Sequence, residues 1–351
     1  MKKLLWFLNS LILIIFYSCG EKNEHQTPVV KSELYKVDTT ELKTIPIKDD
    51  SPFQLEYNFI KGEKLLYRLT TISETFQKVI LDTIVNNKIN QEITYLIEFK
   101  PQIIEADGTF ESDVNIIGVK LNADVNGEKV SYDALKDKDS LQILRYAEFA
   151  SLYNNPFSVR FTKNGEITEI FRADKISNKF LKIRNADTVD LQTKNLVRDD
   201  MISSVLKPLM GQIIRKLTEK TLAVDSSWIS PQPPVPLMVF KLNYNNKYRI
   251  SSVEKLDEDK LVVIEAGMDY KIEGNPNYKE GGITYRFNKP ISRGDGKIYF
   301  NISKGRIQKS QTKSSTEFSF TMEAETPQGK QKGRREEIVS NTNILELIKQ
   351  Y

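Results

Sequence analysis

Hydrophobic and polar residues alternate along much of the chain with a period of two, the signature of strands whose successive side chains face opposite ways. In "EITYLIEFKP", Ile93, Tyr95, Ile97 and Phe99 fall on one face, and Pro101, lacking a ladder N–H, should end the run. Leu65, Tyr67 and Leu69 open an earlier strand, and Phe157, Val159 and Phe161 a later one that turns back through Asn164-Gly165 to Ile167. In "LVVIEAGMDYKIEG" the residues Val262, Ile264, Ala266, Met268, Tyr270 and Ile272 share a face. Phe318, Phe320, Met322 and Ala324 repeat the pattern, and Lys304-Gly305 predicts a hairpin turn before it.

Two stretches switch to helical spacing. Ile143, Ala147, Ala150 and Asn154 predict a short amphipathic helix, and Ile202, Val205, Leu206, Leu209, Ile213 and Leu217 trace a longer stripe within Leu196–Lys220. Asp199 and Asp200 suit the start of that helix, and Pro208 should kink or split it. Strands with hairpins at both ends and helices between them predict an α+β fold, a large curved antiparallel β-sheet with a few helices packed on one face.

The domain plan follows from where pattern is absent. Residues 19–58 are polar and carry no sustained period, so they are expected to form a flexible tether that spans about 30–35 Å. Residues 59–230 form a β-rich region with the central helices. Pro231, Pro233, Pro234 and Pro236 mark an extended connector, and residues 237–351 form a second antiparallel region, continuous with the first sheet.

The N-terminus has its own logic. Lys2 and Lys3 precede an apolar run, Leu4 to Tyr17, that is shorter than the ~20 residues a spanning helix needs, and Glu21 and Lys22 follow it closely. Residues 1–18 therefore read as a signal peptide, followed by Cys19, the single cysteine of the chain. "FYSC" with Gly20 resembles the lipobox of bacterial lipoproteins, although Phe16 and Tyr17 are bulkier than the residues usual there. The resemblance implies a diacylglycerol thioether on Cys19, cleavage before it and acylation of the new amino group. At ~0.8 kcal/mol per buried CH₂, two or three such chains hold a protein on a membrane almost permanently. "YRLTTISETFQK", "TKNGEITEIF", "DSSW" and "GDGKIYFNISKGRI" extend the resemblance to uncharacterised β-rich lipoproteins of Bacteroidota, which would place the chain in the cell envelope. The expected address is the outer membrane, facing the periplasm or the cell surface.

Composition removes several chemistries. The 351 residues carry a net charge of +4, which falls to +2 without Lys2 and Lys3, and this near-neutrality argues against a nucleic-acid partner. The lone histidine, His25, lies in the tether, so a His-based triad or zinc site in the globular part is excluded, as are disulfides and thiol chemistry. Carboxylates remain, but the adjacent pairs Asp199-Asp200 and Glu336-Glu337 are poorly disposed to act together. "DKDS", Asp137 to Ser140, lacks the glycine and glutamate of a calcium loop and suits a helix cap. "SRGDGK", Ser292 to Lys297, reads as a turn, and "KQKGRR", Lys330 to Arg335, as a solvated hairpin tip that could meet anionic headgroups. No metal or cofactor is expected beyond the covalent lipid.

Three functional readings result. The first is a non-enzymatic envelope lipoprotein that binds an apolar or amphipathic, lipid-like ligand in a sheet-and-helix cavity, with Trp228, Leu209 and Ile213 as candidate lining. The second is a structural or interaction subunit that recruits an envelope protein along an exposed edge, Ser315–Ala324. The third is a carboxylate-based hydrolase.

Overall fold

The computed structural model describes residues 33–351, apart from 50, 138, 327 and 328. The signal peptide, Cys19 and His25 lie outside the described residues.

Sixteen strands join one open sheet in which every strand pair is antiparallel. In chain order they are β1 (Ile45–Ile47), β2 (Leu65–Ile80), β3 (Ile84–Ile104), β4 (Thr109–Val125), β5 (Glu128–Asp133), β6 (Phe157–Thr162), β7 (Ile167–Phe171) and β8 (Ser227–Pro231). Then follow β9 (Val235–Leu237), β10 (Phe240–Leu256), β11 (Asp259–Gly274), β12 (Asn277–Glu280), β13 (Ile283–Phe287), β14 (Ile291–Asn301), β15 (Arg306–Thr326) and β16 (Gly329–Gln350). The main spatial order is β1-β10-β11-β14-β15-β16-β2-β3-β4-β6-β7. The two β regions expected from the sequence are thus a single sheet, and β2 seals against β16 at its centre. The proline-rich connector is no boundary, because β8 and β9 pair along the outer edge of β10.

Alternation sorts each strand into two faces. On the inner face Leu65, Tyr67 and Leu69 of β2 stand opposite Phe99, Ile97 and Tyr95 of β3 and join the main core. Rings from distant strands meet there: Tyr57 lies 5.6 Å from Phe300 of β14 and 6.2 Å from Phe161 of β6. Five strands separate β14 from β6 along the sheet, so the two flanks are drawn towards a common centre. Leu55, Tyr57 and Phe59 fill that centre, and Phe59 packs edge-on against Phe110 and Phe161. At about 25 cal/mol per Å² of apolar surface removed from water, these rings are the main stabilising mass of the molecule.

The helices are α1 (Ser140–Arg145), α2 (Ala147–Leu152), α3 (Asp174–Ile183), α4 (Leu191–Met201) and α5 (Lys207–Ile213). Asp139 caps α1 by accepting hydrogen bonds from the N–H groups of Leu141 and Gln142. The long helix is divided in two just before Pro208, as its sequence predicts. A π-helical turn, Ile202–Leu206, joins α4 to α5 and seats the proline in the first turn of α5, where its missing N–H costs little. Asp199 and Asp200 stand in the last turn of α4 rather than at its start, which Asp190 caps. Leu152, Ile176, Leu206, Met210 and Ile213 share the core of the inner sheet face.

Residues 33–58 correct the tether reading. This segment crosses the outer face as a strap: Tyr35 packs with Leu66 and Leu96, Lys309 bonds Asp38 at 3.0 Å, and Lys297 bonds Glu41 at 2.6 Å. β1 then caps β10, Phe53 bridges Leu222, and the chain turns inward to Leu55. Hydrogen bonds from Thr40, with help from Lys309, hold the Asp38 carboxyl far below its ordinary range; Lys297 lowers Glu41, and Lys260 with Ser51 holds Asp49 at about 2. Beneath the strap Arg68 and Glu346 form a buried pair at 2.7 Å.

Two more local readings change. Pro101 does not end β3, which continues to Ile104 through a bulge between Pro101 and Ile103. "SRGDGK" lies inside β14. Gly296 is required by packing, since a Cβ there would stand 2.7–2.9 Å from Thr312 and the Gln311 carbonyl.

Candidate functional site

Trp228, Leu209 and Ile213 are all buried in the main core. Trp228 of β8 sits opposite Tyr248 of β10 and stacks on it with ring centroids 5.0 Å apart. The cavity beside them measures about 10 Å³ and is lined by Arg215, Leu217, Tyr248, Phe300 and Ile307. Trp228 Nε1 and Arg215 Nε are buried there without a hydrogen-bond partner. That volume suits a single water molecule, whereas small-ligand sites occupy about 300–1,000 Å³. Leu55, Tyr57 and Phe59 occupy the space an interior ligand would need.

The end of the sheet away from this core is different. Lys313 and Ser314 are consecutive residues of β15, paired on both sides with β14 and β16, and both are exposed. No layer covers either face at this point. Antiparallel sheets commonly leave one face to water; leaving both requires the strands to hold one another. Side-chain ladders do this on the inner face: Thr71 bonds Asn343 at 2.9 Å, Ser73 bonds Asn341 at 2.6 Å, and Gln77 bonds Glu337 at 3.0 Å. The hydroxyls of Tyr244, Ser292 and Thr316 continue the series at 3.1 and 3.0 Å. On the outer face Phe76 of β2 stands directly opposite Ile338 of β16, and they are 42% and 41% exposed. Glu74, Lys78, Lys88 and Glu336 flank them by register. An apolar pair in a charged frame on a braced, uncovered sheet has the anatomy of a contact surface.

Ser315–Ala324 is not a free edge. β14 and β13 pair with it on one side and β16 on the other, because β14, β15 and β16 are consecutive strands joined by hairpins, with β15 in the middle. The adjacent carboxylates are each tied locally: Glu336 to Arg334 at 2.7 Å, Glu337 to Arg335 and Gln77, and Asp199 to Arg198 at 3.0 Å. Among the described residues no group of three His, Cys, Asp or Glu side chains is placed to hold a metal, and no helix is long and apolar enough to cross a membrane. In "KQKGRR", Lys330 meets Glu323 at 3.1 Å in the β15–β16 hairpin.

A family model matches residues 107–307, which is more than half of the chain. The chain belongs to DUF6263, a family of unknown function. The matched span runs from the start of β4 to the first turn of β15, so it includes all the helices and the β8–β10 edge. No curated protein matches the chain. Among solved structures, the lipovitellin of "Lipid-protein interactions in lipovitellin" is 12% identical over 84% of this chain and 26% of its own, with a TM-score of 0.42. The chain therefore spans about a quarter of that protein. OccK2 (OpdF) of Pseudomonas aeruginosa is 7% identical over 80% and 98%, with a TM-score of 0.19. The COG4313 outer membrane channel of Pseudomonas putida F1 is 9% identical over 85% and 99%, with a TM-score of 0.18. At these scores none of them bears on the fold or the function of this chain.

Proposed function

We propose that this protein is a membrane-anchored envelope lipoprotein, acylated on Cys19, that works by binding another macromolecule on the uncovered half of a curved sheet whose helices cover the other half. The supporting observation is the simultaneous exposure of Lys313 and Ser314 on an interior strand. A strand held on both sides yet bare on both faces is braced for contact without needing contact to fold. The filled core supports this reading over an apolar ligand in the interior, since the cavity at Trp228 is only about 10 Å³. Against a hydrolase reading, the inward carboxylate Glu337 is already engaged by Arg335 and Gln77.

The test is a photo-crosslinking side chain at Ser314, and separately at Phe76, in cells that also receive labelled palmitate. A discrete protein adduct from either position, together with palmitate on the wild type but not on Cys19→Ser, is the expected result. Palmitate without adducts overturns the binding surface, and adducts without palmitate overturn the anchor.

A further inference from the structure

Strands bare on both faces should grow more polar towards their ends, where water reaches every side. The β2–β3 hairpin does the opposite. Its inward positions are polar through Thr71, Ser73 and Gln77, and at the tip they turn apolar again. Val79 pairs with Val85, Ile80 with Ile84, and Leu81 opens the turn. Leu81 is 55% exposed, Ile84 60% and Val85 50%. Turn chemistry asks for none of them. The β4–β5 and β12–β13 tips use Asn126-Gly127 and Gly281-Gly282, all with the positive φ that a tight turn needs.

The apolar tip is held in place. Leu81 N–H donates to the Thr83 carbonyl at 3.0 Å, closing the turn on itself. Leu81 lies over Gly333 of β16, where a Cβ would stand 2.6 Å from Leu81 Cδ2 and 2.9 Å from Met322 Cε, so glycine at 333 leaves room for it. By register Val85 belongs to the inner face and Ile84 to the outer. A protein would need a deep socket to cover a projection that is apolar on both sides, whereas a bilayer surrounds whatever enters it. The hairpin can enter because its backbone groups are bonded internally. Asp82, exposed at the apex, limits the depth to the headgroup boundary. Lys78 and Lys88 follow on the outer face, with stems long enough to reach the headgroups.

Register sets the neighbouring tips along one slanted line. Arg334 pairs with both Ile80 and Thr321, so β15 runs five residues past the level of Ile80 to Thr326. Ile89 pairs with both Thr75 and Val125, so β4 stops five residues short of it. Each step is about 17 Å. A plane laid along this edge meets the apolar tip in the middle, with Lys330 and Lys332, which share Glu323, to one side. The chain preceding the described residues reaches the same plane. Tyr35 packs on Leu66, fourteen residues or about 46 Å along β2 from Ile80. The fourteen residues from Cys19 to Glu33 span at most about 46–50 Å, so a lipid on Cys19 keeps the tip within reach of its own bilayer.

We propose that the β2–β3 tip dips into the interface of the lipid bilayer that holds Cys19, a second and non-covalent membrane contact that stands the sheet on its edge. This rests on the anchored reading above and gives the uncovered surface an orientation.

Dansylalanine in place of Ile84, and separately in place of exposed Ile60 before the start of β2, tests it in the full chain reconstituted in phosphatidylcholine vesicles with and without brominated acyl chains. The bromines quench the probe at 84 about threefold and leave the probe at 60 unchanged. The double variant L81S/V85T, altered only at exposed side chains, brings quenching at 84 down to that at 60. Equal quenching at the two positions, or quenching at 84 untouched by L81S/V85T, overturns the inference. So does a photo-crosslinker at Ile84 that yields a protein adduct in cells instead of a lipid one. Quenching at 84 with no palmitate on the wild type leaves the tip standing while the anchor falls; palmitate with position 84 unquenched keeps the anchor and removes the tip.

Discussion

Tyr57→Phe isolates one hydroxyl on which two elements depend. Tyr57 Oη accepts the backbone N–H of Arg215 at 2.7 Å and donates to the carbonyl of the same residue at 3.2 Å. Burial pushes the phenol well above its ordinary range, so it stays neutral and able to donate. Around it Tyr57 N–H donates to the Lys163 carbonyl and Leu217 N–H to that of Asn164, which locks the 215–217 segment to the β6–β7 turn. Removing the oxygen keeps the ring contacts with Phe59, Phe161 and Phe300 but leaves a donor and an acceptor without partners. Each buried orphan costs about 1–3 kcal/mol. Arg215 also lines the water-sized cavity, which offers partial relief, so the expected total is about 2–4 kcal/mol. With an m-value of about 3 kcal/mol/M in urea, the midpoint should fall by about 1 M with no change in slope. Tyr57→Ala should cost clearly more, because the ring itself is worth about 3–5 kcal/mol. A Tyr57→Phe midpoint within 0.2 M of wild type, roughly 0.5 kcal/mol, would refute the account of this junction.

Other expectations rest on different contacts. Arg306 is 1% exposed, pairs with Glu63 at 2.9 Å and lies over the Phe59 ring at 5.7 Å; Arg306→Met strands that carboxylate and should cost about 3–5 kcal/mol by calorimetry, with part recovered in the R306M/E63M double variant. Gly165→Ala should destabilise by about 2 kcal/mol or more in the same assay, while Asn164→Ala should cost much less. At Gly165 φ is +77° and a Cβ would lie 2.1 Å from the Arg215 carbonyl. The strap should loosen in acid. Its carboxylates at Asp38, Glu41 and Asp49 titrate lower in the folded state than their unfolded values near 4, so their contribution is complete above about pH 4.5 and is lost as pH falls towards 2. Cleavage within residues 33–49 by an acid-active protease should rise across that window, and cleavage that is flat with pH would count against the ion-pair attachment.

What can be read from the sequence here is what is local. The even positions of β11 from Val262 to Ile272 announce a strand because they share one face, whose Val262, Ile264 and Ala266 pack in the main core, and Asp139 announces a helix start because capping involves neighbours only. The strap is illegible for the opposite reason: Tyr35, Asp38 and Glu41 meet Leu66, Lys309 and Lys297, partners hundreds of residues away in two of the three cases. Leu55, Tyr57 and Phe59 do carry a two-residue period, but three positions are too few to separate a core plug from chance. Gly294 and Gly296 look like turn residues until Met268 and Thr312 are seen against them. The contact surface leaves a negative trace. In "TTISETFQ" and "IVSNTNI" the inward positions are Thr71, Ser73, Thr75, Gln77, Asn341 and Asn343, with Val339 as the one apolar residue, so these strands lack the continuous apolar face that a covering layer would demand. Strand order leaves no local trace at all, which is why an interior strand such as β15 can be taken for an edge.

The central seam between β2 and β16 also governs timing. Residues 65–80 emerge from the ribosome long before their partners at 334–350, and at about 5–20 residues per second that wait is roughly 15–60 s. Until then one half of the molecule has its middle unzipped, with two long ladders open to any passing chain. Such a topology folds slowly, and each open ladder remains a template for wrong pairing until the closing strand arrives.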